Sequence, residues 1–300
     1  MIKDNIDFSS KHDILIRHPN GSLLPMDVPY FESELIAPGT WRIGTDGDAI
    51  YLVEGDDEAV VIDSGYGAGN LRDFCASITE KPVRNIINTH DHFDHTANNA
   101  YFEKAFMSAA SVPLATIPFP SFEGIDFPRD YEIQVVKEGD IISLGGRDLE
   151  VIETPDHAVG SIMLLDSREG ILFVGDELSD FFKKINGSVS AVLAQFKKLE
   201  ERLPRIKVLW GGGGGPFKKE IIEEYLQTFE YIVAGGETEE GFGFPNGGMP
   251  PRQEPGPEGV TVFNRFSARP CDMKLKDELG GNLRHTRKFG HLVVFDADNI

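Results

Sequence analysis

The close spacing of His90, His92, Asp94 and His95, all within six residues, constrains this chain more than any other feature. They directly follow the apolar run 83–87, which predicts a strand. Neutral imidazoles and a carboxylate this close together suit a borderline metal such as zinc, and strand ends are where open α/β sheets present ligands. The alternative is a solvated turn that only starts a helix, with Asp94 or Thr96 as its cap. We predict a metal site.

Two later segments strengthen this prediction, because each places a further ligand after a predicted strand. His157 belongs to the stretch 154–161, Thr-Pro-Asp-His-Ala-Val-Gly-Ser, which follows an apolar run at 149–152. Asp176 ends the stretch Phe-Val-Gly-Asp at 173–176, which closes an apolar run at 171–174. Each segment therefore adds one ligand at a strand end.

In this order, the residues resemble the signature of the metallo-β-lactamase fold superfamily, a His-x-His-x-Asp-His loop followed by a distant His, an Asp and a last His. Segments 51–55, Tyr-Leu-Val-Glu-Gly, and 60–65, Val-Val-Ile-Asp-Ser-Gly, resemble the two strands and the loop that precede it. The resemblance covers residues 35–232 and implies an α/β fold, the four-layer αββα sandwich. Residues 1–34 would be an N-terminal extension, and residues 233–300 a C-terminal extension packed on the catalytic domain.

The resemblance implies a role for each residue. Its ligands would be His90, His92 and His157 for a first metal, Asp94 and His95 for a second metal, and Asp176 as a bridge between both. Asp63 would support them. A bound divalent ion lowers the pKa of water from about 15.7 to roughly 7, and the resulting hydroxide would be the nucleophile. Asp94 would be the catalytic residue that orients this water and accepts its proton. The implied cofactor is zinc, as one or two ions, with iron or manganese as the alternative.

The last histidine of the signature is missing. It is expected after the predicted strand 206–209, where this chain has Trp210 followed by glycine at 211–215. Gly212 or Gly213 offers at most a backbone carbonyl, which is a weak ligand for a nitrogen-preferring metal.

This departure leaves three outcomes open. The remaining ligands hold two metals, or the C-terminal segment folds back and lends His285 or His291. In the third outcome the chain binds a single metal and resembles the mononuclear iron oxygenases of the superfamily that oxidise persulfides. Two histidines and an aspartate bind iron in those enzymes, and the equivalents here would be His90, His157 and Asp176. A metal-binding protein without catalytic turnover is the remaining alternative.

The glycine run does not predict a nucleotide-binding loop. The order Gly-x-x-x-x-Gly-Lys-Ser/Thr is absent, because Pro216 and Phe217 precede Lys218 and no Ser or Thr follows it. We expect a permissive turn instead, after which Pro216 opens a helix over 219–229.

Composition favours a soluble enzyme. The net charge of −20 repels polyanions, so no nucleic-acid partner is expected. The 2 cysteines cannot build a multi-bridge framework, and neither an apolar signal core nor a membrane-spanning apolar run is present. We expect a cytoplasmic protein with a small-molecule substrate and no membrane association, and homo-oligomerisation stays open.

Hydrophobic patterning predicts the remaining elements. Strands are expected at 14–16, 40–43, 49–54, 59–63, 132–136, 141–144, 149–152 and 161–165, and helices at 70–79, 96–107 and 189–202. The irregular stretches 111–131 and 241–259 are rival candidates for a loop over the metal, and no substrate-binding residue is predicted. The resemblance implies a metal-dependent hydrolase of a small ester, thioester, lactone or amide.

Overall fold

The computed structural model describes residues 14–17, 22–25, 31–45, 48–65, 67, 69–115, 129–180, 182–241, 243, 253–255, 261–264 and 281–300. Most of the two candidate loops over the metal, 111–131 and 241–259, lies outside the described residues.

Strands outnumber helices among the described residues. The strands are β1 (Ile14–Arg17), β2 (Leu23–Pro25), β3 (Glu32–Ala37), β4 (Thr40–Gly44), β5 (Ala49–Glu54), β6 (Ala59–Ile62), β7 (Val83–Ile87), β8 (Lys104–Ser108), β9 (Glu132–Val136), β10 (Ile141–Ser143), β11 (Asp148–Glu153), β12 (Ile162–Asp166), β13 (Ile171–Gly175), β14 (Phe182–Lys184), β15 (Val208–Gly211), β16 (Gly214–Lys218), β17 (Glu239–Glu240), β18 (Gln253–Pro255), β19 (Thr261–Asn264), β20 (Leu283–Thr286) and β21 (Leu292–Asp296). The helices are α1 (Leu71–Ala76), α2 (Phe93–Thr96), α3 (Val189–Glu200) and α4 (Glu220–Val233), with single 3-10 turns at Asn99–Tyr101 and Leu203–Arg205.

Two large sheets hold most of these strands. The first has the order β3-β4-β5-β6-β7-β8-β9 and is antiparallel up to β6 and parallel from β6 to β9. The second has the order β10-β11-β12-β13-β15-β16, in which β13 and β15 are parallel and the other neighbours antiparallel. Consequently β6 and β7 end at one edge of the first sheet, and β11, β13 and β15 end at one edge of the second.

An apolar layer between the two sheets holds them face to face. Tyr51 and Val53 of the first sheet share a buried cluster with Val151 and Phe173 of the second. The Tyr51 and Phe173 rings lie 4.9 Å apart between centroids. Leu52, between the two inward residues, belongs to a different cluster on the outer face, as the two-residue period of a strand requires.

Helices cover the outer face of each sheet. Cys75 of α1 and Phe93 of α2 pack on the first sheet, while Phe196 of α3 and Phe229 of α4 pack on the second. The layers therefore run helix, sheet, sheet, helix, and the predicted αββα sandwich is confirmed.

Helix α3 shows how the sequence produces the outer layer. Its buried residues are Val189, Val192, Phe196 and Leu199, spaced three or four apart on one face. The Ser188 hydroxyl caps the helix by accepting a hydrogen bond from the Ala191 N–H at 3.1 Å. The helix predicted at 189–202 is present and ends at Glu200.

Two local predictions were wrong. The segment 96–107 is not a helix, since α2 ends at Thr96 and β8 begins at Lys104. Parallel pairing of β8 with both β7 and β9 outweighs the helical pattern there. Pro216 does not open a helix either, because it lies inside β16 and α4 begins at Glu220.

The terminal segments form two smaller sheets. One has the order β18-β19-β1-β2, so described parts of the predicted N- and C-terminal extensions pair with each other. The other has the order β14-β21-β20-β17, in which β21 pairs in parallel with β14. Among the described helices, none has the length and apolar character needed to cross a bilayer.

Candidate metal centre

The predicted ligands meet where the strands of both sheets end. The 88–96 segment follows β7, Asp63 follows β6, His157 follows β11, and Asp176 follows β13. Because β5 runs antiparallel to β6, its amino end lies at this same edge and brings Asp48 to the site.

Three imidazoles converge on one point. Nδ1 of His92 lies 3.0 Å from Nε2 of His90 and 3.1 Å from Nε2 of His157. Two nitrogens bound to one tetrahedral zinc lie roughly 3.3 Å apart. These three residues form one of the groups whose ligand atoms all lie within 4.8 Å of one another. The spacing therefore fits a single metal ion held by three nitrogens.

His90 is oriented by a chain of hydrogen bonds. The Thr89 hydroxyl donates to Oδ2 of Asp63 at 2.8 Å, and Nδ1 of His90 lies 3.0 Å from the same hydroxyl oxygen. Since the hydroxyl hydrogen goes to the carboxylate, its oxygen accepts the Nδ1 hydrogen of His90 and leaves Nε2 as the lone-pair donor. Burial lowers the pKa of His90 well below its ordinary value, and the neighbouring histidines lower it further. A neutral imidazole is the form that binds a metal.

A second group lies on the other side of His90. Nε2 of the fully buried His95 lies 3.8 Å from Oδ1 of Asp176 and 3.9 Å from Oδ2 of Asp94. Two further metal-compatible groups result, His90 with His95 and Asp176, and Asp48 with Asp94 and His95.

The carboxylates of this second group create a negative potential that a bound cation would neutralise. Burial alone would lower the pKa of His95, but the carboxylates of Asp63, Asp94 and Asp176 raise it well above its ordinary value. The same negative field would favour a divalent ion bound at Nε2. Mixed imidazole and carboxylate donors suit zinc, iron or manganese, so the residues fit a second ion.

Asp63 links the two groups. Its carboxylate accepts hydrogen bonds from the Thr89 backbone N–H at 2.7 Å and the Thr89 hydroxyl at 2.8 Å, and it lies 2.9 Å from Nδ1 of His95. Asp63 has a φ of 61°, the only positive φ outside glycine among the described residues. Aspartate tolerates this left-handed conformation better than most residues. The strained backbone therefore lies at the residue whose side chain contacts both Thr89 and His95.

A buried ion triad holds the His157 loop, and sequence reasoning missed it. Nζ of Lys183 lies 2.7 Å from Oδ2 of Asp156 and 2.9 Å from Oε2 of Glu177. Oε1 of Glu177 accepts the His157 backbone N–H at 2.6 Å. Burial would lower the pKa of Lys183, but the two carboxylates raise it above its ordinary value. Lys183 and Glu177 belong to no recognisable sequence motif. The lysine reaches the loop only because it lies on β14.

The place of the missing histidine is filled by its neighbours. A Cβ built on Gly212 would lie 2.1 Å from Oδ1 of Asp176 and 3.0 Å from Cε1 of His95. The two C-terminal histidines are engaged elsewhere, His285 with Gly241 and Glu239 and His291 with Glu224. Neither belongs to a metal-compatible group among the described residues, so neither replaces the missing ligand.

The chain is similar to known enzymes over part of its length. It is 31% identical over 160 residues to an acyl-coenzyme A thioesterase, MBLAC2, of Gallus gallus, a match that covers 44% of this chain and 57% of that protein. It is 33% identical over 96 residues to a hydroxyacylglutathione hydrolase of Maricaulis maris, covering 32% and 34%. It is 25% identical over 203 residues to an atrochrysone carboxyl ACP thioesterase of Aspergillus fumigatus, covering 65% and 58%. The matches thus span little more than half of these relatives at most.

Solved structures share the fold. A metallo-β-lactamase from Pontibacter korlensis superposes with a TM-score of 0.53 at 17% identity and covers 67% of this chain and 99% of its own. BJP-1 of Bradyrhizobium japonicum, a subclass B3 enzyme, gives a TM-score of 0.52 at 22% identity, covering 70% and 94%. The sequence profile of the metallo-β-lactamase superfamily matches residues 43–238. The chain therefore belongs to the metallo-β-lactamase superfamily.

Proposed function

We propose that this chain is a zinc-dependent hydrolase of small thioesters. The observation that carries the proposal is the convergence of three imidazoles at 3.0 and 3.1 Å beside a carboxylate-rich group. His90, His92 and His157 would hold one ion, and Asp94, His95 and Asp176 would contribute to a second. When bound, such ions supply a water of low pKa and a Lewis acid for the acyl carbonyl.

The chain's own residues would position the reaction and move the proton. The Asp94 carboxylate, 3% exposed, would orient the attacking water and accept its proton. The water oxygen bonds to the acyl carbon, the carbon–sulfur bond breaks, and the proton from Asp94 ends on the leaving sulfur. Asp63 and Thr89 would fix the imidazole orientations through the hydrogen bonds described above.

Two arguments favour this reaction. Two of the similar proteins are named as thioesterases, and a third as a hydroxyacylglutathione hydrolase. An iron oxygenase that used only His90, His157 and Asp176 would leave His92 without a role, although its Nδ1 faces both other imidazoles within 3.1 Å. A site of three imidazoles suits zinc.

The test is thiol release from an acyl-CoA and an S-acylglutathione, followed with a thiol-reactive dye. We expect metal-loaded protein to release thiol, His92→Ala to lose the activity, and His285→Ala, outside the metal-compatible groups, to keep it. Two further compounds are tested separately as alternative substrates: a β-lactam, followed by its hydrolysis, and a persulfide, followed by oxygen uptake. Oxygen uptake without thioester hydrolysis would replace the proposal with the oxygenase alternative.

A further inference from the structure

Gly212 supplies no metal ligand in this fold. It has no side chain, and the space that a Cβ would need is taken by Asp176 and His95. Its carbonyl oxygen accepts a hydrogen bond from the Ala49 N–H at 2.6 Å. Gly212, one of the two glycines near the expected position of the last histidine, therefore uses its carbonyl in backbone pairing.

That same hydrogen bond fixes the position of Asp48. Asp48 directly precedes Ala49 at the start of β5, and it is 3% exposed. One of its carboxylate oxygens lies within 4.8 Å of ligand atoms of both Asp94 and His95. The turn before β5 thus brings a buried carboxylate close to Asp94 and His95.

The burial of these groups indicates a cation between them. Nε2 of His95 makes no hydrogen bond among the described residues and is completely buried. Two buried carboxylates, those of Asp48 and Asp94, face this nitrogen. The spacing of these three groups suits an ion coordinated by one carboxylate oxygen of each aspartate and by Nε2 of His95.

We infer that Asp48 is the ligand of the second metal that takes the place of the missing histidine. The inference rests on the proposed metal-dependent function. It makes the two sites chemically different, one with three imidazoles and the other dominated by carboxylates. Carboxylates shift preference toward harder ions, so the second site should accept manganese more readily than the first.

The experiment is a competitive metal titration of the folded full chain, together with elemental analysis after removal of loose ions. Wild-type protein is expected to hold about two zinc ions, and Asp48→Asn about one, with the lost ion bound at least about 100-fold more weakly. Asp48→His, which restores a ligand, should bind the second ion again. Asp57→Asn is the matched control, since it removes an exposed carboxylate near the other end of β5.

Three other results would each refute a different part of the proposal. If Asp48→Asn keeps two ions with less than about 10-fold weakening, Asp48 is not a ligand, because even a residue that only orients a ligand has a larger effect. A wild-type chain that holds a single ion, with Asp48→Asn equal to it, removes the second site. A wild-type chain that binds no ion removes the proposed function itself. Circular dichroism identifies any variant that fails to fold; if Asp48→Asn does not fold, Asp48→Ala takes its place in the same titration, with the same expected loss of one ion.

Discussion

At the scale of single residues, Asp63 connects the chemistry of the site to the backbone. Its carboxylate contacts Thr89 and His95 within 2.9 Å, and Thr89 in turn orients His90. Two metal-compatible groups include His90, one with the other imidazoles and one with His95. The orientation of both groups therefore depends on the side chain of Asp63, whose backbone has a positive φ. Such indirect control is typical of metal sites, where the partners of the ligands set their orientation and tautomer.

Asp94 gives the most direct prediction at this scale. Asp94→Asn keeps the side-chain shape but removes the proton acceptor, so we expect thioester hydrolysis to fall by roughly 10² to 10⁴-fold. Steady-state thiol release measures this, with Asp57→Asn as the control for loss of one carboxylate at an exposed position. Undiminished turnover in the folded Asn variant would remove Asp94 from the reaction.

At the scale of elements, the sequence predicted the candidate ligands that follow strands and missed the proposed ligand that precedes one. His90, His157 and Asp176 come after apolar runs, a pattern that is visible in the sequence. Asp48 stands before β5, and only the antiparallel pairing of β5 with β6 and its contact with Gly212 bring it to the site. No spacing rule contains that information, because it depends on sheet topology.

The error at 96–107 has a related cause. Asn98 and Asn99 are buried and bind Ser64 and Asn88 through their side chains. These contacts end the helical turn and allow β8 to pair with β7. Local helix propensity is a weak preference that long-range pairing overrides.

The triad beneath the His157 loop yields a stability prediction. Lys183→Met would leave the carboxylates of Asp156 and Glu177 buried without their cation, so we expect the free energy of unfolding to fall by about 3–5 kcal/mol. Lys184→Met, at the adjacent and more exposed position, should change it by less than about 0.5 kcal/mol. Chemical denaturation of both variants measures the difference, and equal values would mean that the triad does not stabilise the loop.

At the scale of the whole molecule, the C-terminal strand β21 is part of the hydrophobic core between the second sheet and its helices. Val293 and Phe295 of β21 lie in the same buried cluster as Phe196 and Phe229 of the helices, and β21 pairs with β14 near the His157 loop. The predicted division into a catalytic domain and a packed C-terminal extension stays a prediction, but this strand shares the core of the catalytic layers.

This packing predicts how the chain responds to truncation of single side chains. Phe295 is 2% exposed, so Phe295→Ala should lower the free energy of unfolding by about 3–5 kcal/mol. Ile300, which is 47% exposed, serves as the matched site, and Ile300→Ala should cost less than about 0.5 kcal/mol. Thermal or chemical denaturation distinguishes them; a neutral Phe295→Ala would show that β21 adds nothing to the core.

In the proposed reaction, the convergent histidines and carboxylates act through bound metal on a thioester. The most direct test measures thiol release from an acyl-CoA before chelation, after complete removal of metal, and after zinc is added back. We expect activity that disappears with the metal and returns with about two equivalents of zinc per chain. A metal-free chain that hydrolyses the thioester at its original rate would contradict it.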